Sequence, residues 1–237
     1  MKKYLHKFFD SSFGKIIRTV QSSLINRSPI ISVMDLVKQN AIQDSAEYAM
    51  KNFSEAMQFD RRSNLWIYCL NRNPFRGGII AEFGVWKGKS INFFARNCLE
   101  ARVFGFDSFE GLEEDWYGFI LPKGSFSTNG RIPKCESNVK LIKGLFEETL
   151  PNFVAELNQE QIMILHMDAD TYKPTKYVLE LLIKNLNRGS IIIFDEYFGY
   201  SNWRLHEFRA FQEVVSNFSV KYRYIGYTNM QVAIEIL

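Results

Sequence analysis

Acidic side chains stand immediately after apolar runs in this chain, and that spacing is where its chemistry would begin. The run Met163 to Met167 is followed at once by Asp168, Ala169 and Asp170, and the run Ser190 to Phe194 by Asp195 and Glu196. If both runs are neighbouring strands, their tips deliver these carboxylates to one edge of a sheet, where like charges repel and shift each other's ionisation. A hard divalent cation such as Mg²⁺, bound through oxygen, relieves that repulsion. Asp168, Asp195 and Glu196 are therefore candidate metal ligands, with Asp170 beside them. The competing reading is structural: helix caps, and salt bridges to Lys173, Lys176 or Arg204.

Two earlier runs also stop in a patterned way. Ile79 to Phe83 leads into Gly84-Val85-Trp86-Lys87-Gly88-Lys89-Ser90 and opens a helix. Glycines there let backbone approach a ligand, and helix N-terminal amides point at it. Trp86 fills the middle place of a G-x-G-x-x-G turn, so the segment alone also reads as a tight turn that binds nothing. The run Val103 to Phe106 ends in Asp107, 23 residues beyond Gly84, where α/β cofactor folds place a carboxylate for the ribose hydroxyls. Among the histidines, His166 lies inside an apolar run and reads as a satisfied core residue. His206 precedes a helix whose buried face is expected to comprise Leu205, Phe208, Phe211 and Val215. With an ordinary pKa of about 6.5 it could accept a proton near neutral pH. His206 and Asp170 are the candidate bases.

The elements that must position these groups follow from the periodicity. Residues 35 to 72 contain helix-compatible stretches, and 1–74 is expected to form a helical cap or arm. Pro74 and Gly77-Gly78 break that pattern, and short apolar runs then alternate with helical stretches across 75–237, the α/β signature. Besides the four runs above, strands are expected at Val139 to Ile142, Lys221 to Tyr227 and Gln231 to Ile236. The last two are joined only by Thr228, Asn229 and Met230, so they form a hairpin, whereas the earlier connections are long enough for parallel crossovers. Between Leu112 and Glu136 neither period holds. That segment is a lid over the cleft or a packed surface loop.

Composition bounds the function classes. With 237 residues, 46% hydrophobic and 23% charged, the chain is globular, and no apolar run approaches the roughly 20 residues of a membrane span. A net charge of +3 is too small for wholesale nucleic-acid binding. The excess sits in a leader, Met1 to Met34, with six basic residues against Asp10 alone; Phe8, Phe9, Phe13, Ile16 and Ile17 recur there at roughly helical spacing. Cys69, Cys98 and Cys135 show no C-x-x-C spacing, which argues against a disulfide framework or thiolate zinc and for a reducing, cytoplasmic setting.

Taken together, Glu82-Phe83-Gly84-Val85-Trp86-Lys87-Gly88, Gly105-Phe106-Asp107-Ser108-Phe109-Glu110-Gly111-Leu112, Lys143-Gly144-Leu145-Phe146-Glu147-Glu148-Thr149-Leu150-Pro151, Met167-Asp168-Ala169-Asp170 and Phe194-Asp195-Glu196-Tyr197 resemble the macrocin O-methyltransferase family, a branch of the class I S-adenosylmethionine-dependent methyltransferases. The resemblance spans roughly residues 79 to 212. It implies a doubly wound, Rossmann-like, seven-stranded and mainly parallel sheet in the order 3-2-1-4-5-7-6, the last strand antiparallel, with an N-terminal helical extension. It implies methyl transfer from S-adenosylmethionine to the hydroxyl of a small molecule, typically a sugar, with Mg²⁺ assistance. Glu82, Gly84, Gly88 and Ser90 would then hold the methionine part of the cofactor, Asp107 its ribose, and Ser108 and Phe146 would flank the adenine. Asp168, Asp195 and Glu196 would hold the metal, with catalysis at Asp168, Asp170 and His206. Family members often carry Asp-Asp where this chain has Asp195-Glu196. The runner-up is a non-catalytic binding or scaffold protein on the same fold. The N-terminal helices are the surface a homo-oligomer would use.

Overall fold

A computed structural model of the chain describes residues 32–75, 77–157 and 160–237. The leader's basic residues and aromatic stripe, all before residue 32, lie outside the described residues. The chain divides into two compact units, Met1–Val37 and Lys38–Leu237. In the first, Ser32 and Asp35 exchange hydrogen bonds between side chain and backbone, a reciprocal cap at the start of α1 (Val33–Asn52).

The second unit is built on one eight-stranded sheet. Its strands are β1 (Met57–Gln58), β2 (Ile79–Phe83), β3 (Arg102–Asp107), β4 (Val139–Lys143), β5 (Ile162–Met167), β6 (Ile191–Phe194), β7 (Tyr222–Tyr227) and β8 (Val232–Ile236), in the spatial order β1-β7-β8-β6-β5-β2-β3-β4. β8 alone runs antiparallel to its neighbours, through a hairpin with β7. The expected seven-strand count is corrected to eight: Met57–Gln58 pairs in parallel with β7 at the edge of the sheet. A two-residue strand carries no periodicity to read. The other seven lie in the expected order.

The central strands β2, β5 and β6 are buried at every position because helices cover both faces. Strand alternation sorts their side chains. Ile79, Ala81, Phe83, Leu165, Met167, Ile192 and Phe194 pack with α4 (Phe146–Glu156), α5 (Tyr172–Leu182) and α6 (Glu207–Asn217). Ile80, Ile164, Ile191 and Ile193 pack with α2 (Arg62–Arg72) and α3 (Lys89–Asn97). Leu65, Trp66 and Cys69 anchor α2 in that second layer, and α2 and the sheet lie in one compact unit, Lys38–Leu237.

The segment after β3 is tied down as a packed loop. Phe109 carbonyl accepts from the amides of Thr128 and Gly130, Leu112 exchanges backbone bonds with Gly124 and Ser125, and buried Trp116 pairs with Leu121. Among the described residues no helix is long and apolar enough to cross a membrane.

Candidate active site

A cavity opens beyond the carboxyl ends of β2, β3, β5 and β6, where open α/β sheets bind ligands. Its floor is the turn from β2 into α3. Gly84 adopts φ 96°, and a Cβ there would collide with the Asp168 carbonyl oxygen, so the turn and the tip of β5 lie in direct contact. Gly88, at φ 74°, is the N-cap of α3. Both conformations favour glycine.

Asp107 fastens this turn. Its Oδ2 accepts from the amides of Val85 at 2.8 Å and Trp86 at 2.7 Å, and its Oδ1 from Phe109 at 2.6 Å. Most of its acceptor capacity is therefore spent on backbone. Ser108 and Phe146 also line the cavity.

The acidic residues meet at the other end. Asp168, Asp195 and Glu196 each offer an oxygen, and the three lie within 4.8 Å of one another. Asp170 lines the cavity beside them, held at φ 61°, a left-handed conformation that costs a non-glycine residue free energy and recurs at functional sites. Withdrawal from water, then the charges of Asp195 and Asp170, push Asp168 well above the usual carboxylate range. Withdrawal from water followed by Asp195 does the same to Asp170 and Glu196. Asp195 is the exception. Burial works against its charge, but the neighbouring His166, with help from Arg62, holds it below the usual range.

The basic residues that the structural alternative required are engaged elsewhere: Lys173 with Glu114, Lys176 with Glu213 and Arg204 with Asp44. One oxygen of Glu196 remains buried without a partner. Three hard oxygen donors with an unsatisfied buried acceptor suit a small divalent cation, so the residues present fit Mg²⁺.

Other sequence expectations land differently. Glu82 does not line the cavity. It is fully buried on the α2–α3 side, taking a hydrogen bond from Ser90 Oγ at 3.0 Å and pairing with His166 Nδ1 at 3.0 Å. The parallel register sets Glu82 against His166, and alternation puts both on one face. His166 is thus a core residue, as expected, but an ionic one. Burial opposes its charge, yet Asp195 and Glu82 push its pKa up to about 10. Its Nε2 lies 3.5 Å from Asp195 Oδ1.

His206 is a correction. Its Nε2 donates to the Tyr117 carbonyl at 2.7 Å, its ring packs near Trp116 and Tyr200, and it does not line the cavity. Burial lowers its pKa, so the ring is held neutral, with the proton on Nε2 and the basic Nδ1 buried without a partner and away from the cavity.

Sequence reasoning missed Glu207, Gln231 and Arg62. Glu207 is fully buried, and its Oε2 accepts the Glu196 amide at 3.1 Å. Of the expected face, Phe211 and Val215 are buried and Phe208 packs on the core, while Leu205 is half exposed; the buried face of α6 is Glu207, Ala210, Phe211, Val214 and Val215. That i, i+3, i+4, i+7, i+8 spacing contains an acid, and this was the available signal. Gln231 Nε2 donates to Asp195 Oδ1. Arg62, from α2, approaches Asp195 Oδ2 at 3.7 Å.

Comparison with known proteins matches residues 81–197 to a family described as a methyltransferase domain. An 8-demethyl-8-(2,3-dimethoxy-alpha-L-rhamnosyl)-tetracenomycin-C 4'-O-methyltransferase of Streptomyces olivaceus is 29% identical over 143 residues, 51% of this chain and 53% of that protein. The chain thus spans about half the length of this curated relative. Among solved structures, the calicheamicin methyltransferase CalS11 superposes with a TM-score of 0.58 at 24% identity, covering 86% of this chain and 93% of that one. The O-methyltransferase NovP gives 0.57 at 19% identity, covering 73% and 78%. Motifs, sheet order and these likenesses agree: residues 81–197 match a methyltransferase domain, and the fold is the one these solved methyltransferases share.

Proposed function

We propose that the protein transfers the methyl group of S-adenosylmethionine to a hydroxyl of a sugar or sugar-bearing small molecule, assisted by Mg²⁺. The observation that carries this reading is the convergence of Asp168, Asp195 and Glu196 directly against the Gly84 turn, which puts the oxygen-donor cluster next to the cofactor floor. In-line transfer between sulfur and oxygen requires that adjacency.

Each group then has a task. The Gly84–Gly88 turn, fixed by Asp107, supports the cofactor, with Ser108 and Phe146 at its nucleoside end. Asp168, Asp195 and Glu196 would hold Mg²⁺, which when bound lowers the pKa of the acceptor hydroxyl and orients it. Asp170, in the cavity wall beside the cluster, is the base we assign, taking the hydroxyl proton on a carboxylate oxygen. His166 keeps Asp195 ionised and aimed, with Gln231 on the same oxygen. A sugar acceptor is favoured because the curated relative's name refers to a rhamnosylated compound and CalS11 is described as a TDP-rhamnose 3'-O-methyltransferase.

The test is methyl transfer by the full chain from labelled S-adenosylmethionine to TDP-rhamnose and a panel of rhamnosides. Label should appear in a sugar product and vanish on EDTA treatment, returning with Mg²⁺. Transfer unaffected by EDTA would remove the metal from the reading; cofactor binding without transfer to any hydroxyl compound would favour a binding protein.

A further inference from the structure

The cavity wall is strongly acidic. Asp107, Glu113, Asp168, Asp170, Asp195 and Glu196 line it, and the cationic side chains among its lining residues are Arg62 and Lys89. S-adenosylmethionine carries two cations, its sulfonium and its ammonium, and one anion, its carboxylate. The cations are at ease near the acids. The carboxylate is repelled by them and needs a counter-charge to leave water.

Position along the cavity agrees with charge. The nucleoside end lies at the tips of β3 and β4, by Asp107, Ser108 and Phe146, and the acid cluster at the tips of β5 and β6. The wall that remains, on the α2–α3 side, is formed by Arg62, Trp66, Lys89 and Ser90. Ser90 Oγ is already donated to Glu82. Among the described residues, the Arg62 guanidinium makes no hydrogen bond: it stands 5.5 Å over the ring of buried Trp66 and 3.7 Å from Asp195, with 48% of its side chain exposed. A guanidinium held over an indole and loosely paired at 3.7 Å retains N–H donors to grip a carboxylate through two parallel bonds, which the ammonium of lysine cannot reproduce.

We infer that Arg62, with Lys89 in the same wall, receives the carboxylate of the cofactor's amino-acid part, so that a helix preceding the matched domain selects for a nucleoside that bears the whole amino acid. The inference rests on the cofactor reading above and deepens it. It also gives α2 a purpose in binding, since Arg62 lies outside residues 81–197.

The experiment is calorimetric titration of the full-length wild type, Arg62→Ala and Arg62→Lys with two probes, S-adenosylhomocysteine and 5'-methylthioadenosine, which lacks the amino-acid end. Arg62→Ala should weaken S-adenosylhomocysteine by about 10- to 100-fold, the effect of losing a charge-assisted hydrogen bond. Methylthioadenosine affinity should stay within about twofold of wild type, a control that also reports a folded site, and Arg62→Lys should recover part of the loss. Equal weakening of both probes, or unchanged S-adenosylhomocysteine affinity in Arg62→Ala, would overturn the role of Arg62 while leaving the cofactor reading intact. A wild type that binds neither probe would overturn both.

Discussion

Asp107 at the tip of β3 and Glu196 just beyond β6 both close an apolar run with a carboxylate, yet the fold treats them in opposite ways. Three backbone amides meet Asp107, and its end of the cavity is complete as it stands. Glu196 keeps a buried oxygen without a partner, and the carboxylates of Asp168 and Asp170 crowd it. The first region is a self-satisfied scaffold, the part of the cavity we propose for the neutral nucleoside. The second is a set of mismatched charges that becomes favourable only when a cation enters it. One sheet edge thus separates rigid support from stored electrostatic need, with Gly84 pressed between them.

The sharpest way to break this contrast is at Asp195, the acid that His166 holds ionised. Asp195→Asn should cut turnover on the order of 100-fold or more, since even outer partners of a metal site cost 10- to 100-fold, while S-adenosylhomocysteine still binds in calorimetry. Wild-type turnover in that variant would detach the acid cluster from the chemistry. Gly84→Ala attacks the boundary itself. The added Cβ meets the Asp168 carbonyl at a positive φ, and strain of about 2–3 kcal/mol should lower Tm by roughly 5–10 °C. An unchanged melting curve would show that turn and strand tip do not abut.

Asp107→Asn sharpens the other side. It sets an amide NH₂ or a weaker acceptor against three donating backbone amides, costing about 1–2 kcal/mol. Cofactor affinity should fall severalfold with Mn²⁺ binding untouched, and a loss of metal instead would merge the two regions. The smallest effect is a control on α6. Lys176 foremost, with Tyr172 and Arg209, holds Glu213 down at about 2 against an ordinary 4.5. A depressed carboxylate stabilises above its unfolded pKa and loses that contribution as pH falls through its folded one. Glu213→Gln should therefore lower Tm by about 1–2 °C at pH 7, with the gap closing as pH drops from about 4.5 towards 2 and activity unaffected. A gap that widened in acid would reverse the sign of the contribution.

The contrast also explains what could be read from residues alone. Strand tips were legible because buried parallel strands are short apolar runs and their ends turn polar abruptly, which located Asp107, Asp168, Asp170, Asp195 and Glu196. The partners across the sheet were not. That His166 meets Glu82 depends on the register between β2 and β5, and no local pattern encodes register. Glu82, which the resemblance assigned to the cofactor, is instead buried away from the cavity and bonded to Ser90 and His166. His206 looked available because Leu205 was counted with Phe208, Phe211 and Val215 on the buried face of α6, which set the ring at that face's edge. Leu205 is in fact half exposed and Glu207 fully buried. Arg62 sits in a polar first turn of α2, where an arginine gives no signal until the tertiary structure carries it to the cavity. Met57–Gln58 is too short to read, and its pairing is a tertiary event.

The most direct measurement is Mn²⁺ titration of the full-length protein, followed by calorimetry or by the loss of the free ion's paramagnetic resonance signal, on wild type and on Asp168→Asn and Asp195→Asn. One ion should bind per wild-type chain, Mg²⁺ should displace it, and each variant should weaken it by tenfold or more. A folded wild type that takes up no ion, or variants that hold it as tightly as wild type, would contradict a cation site at the tips of β5 and β6.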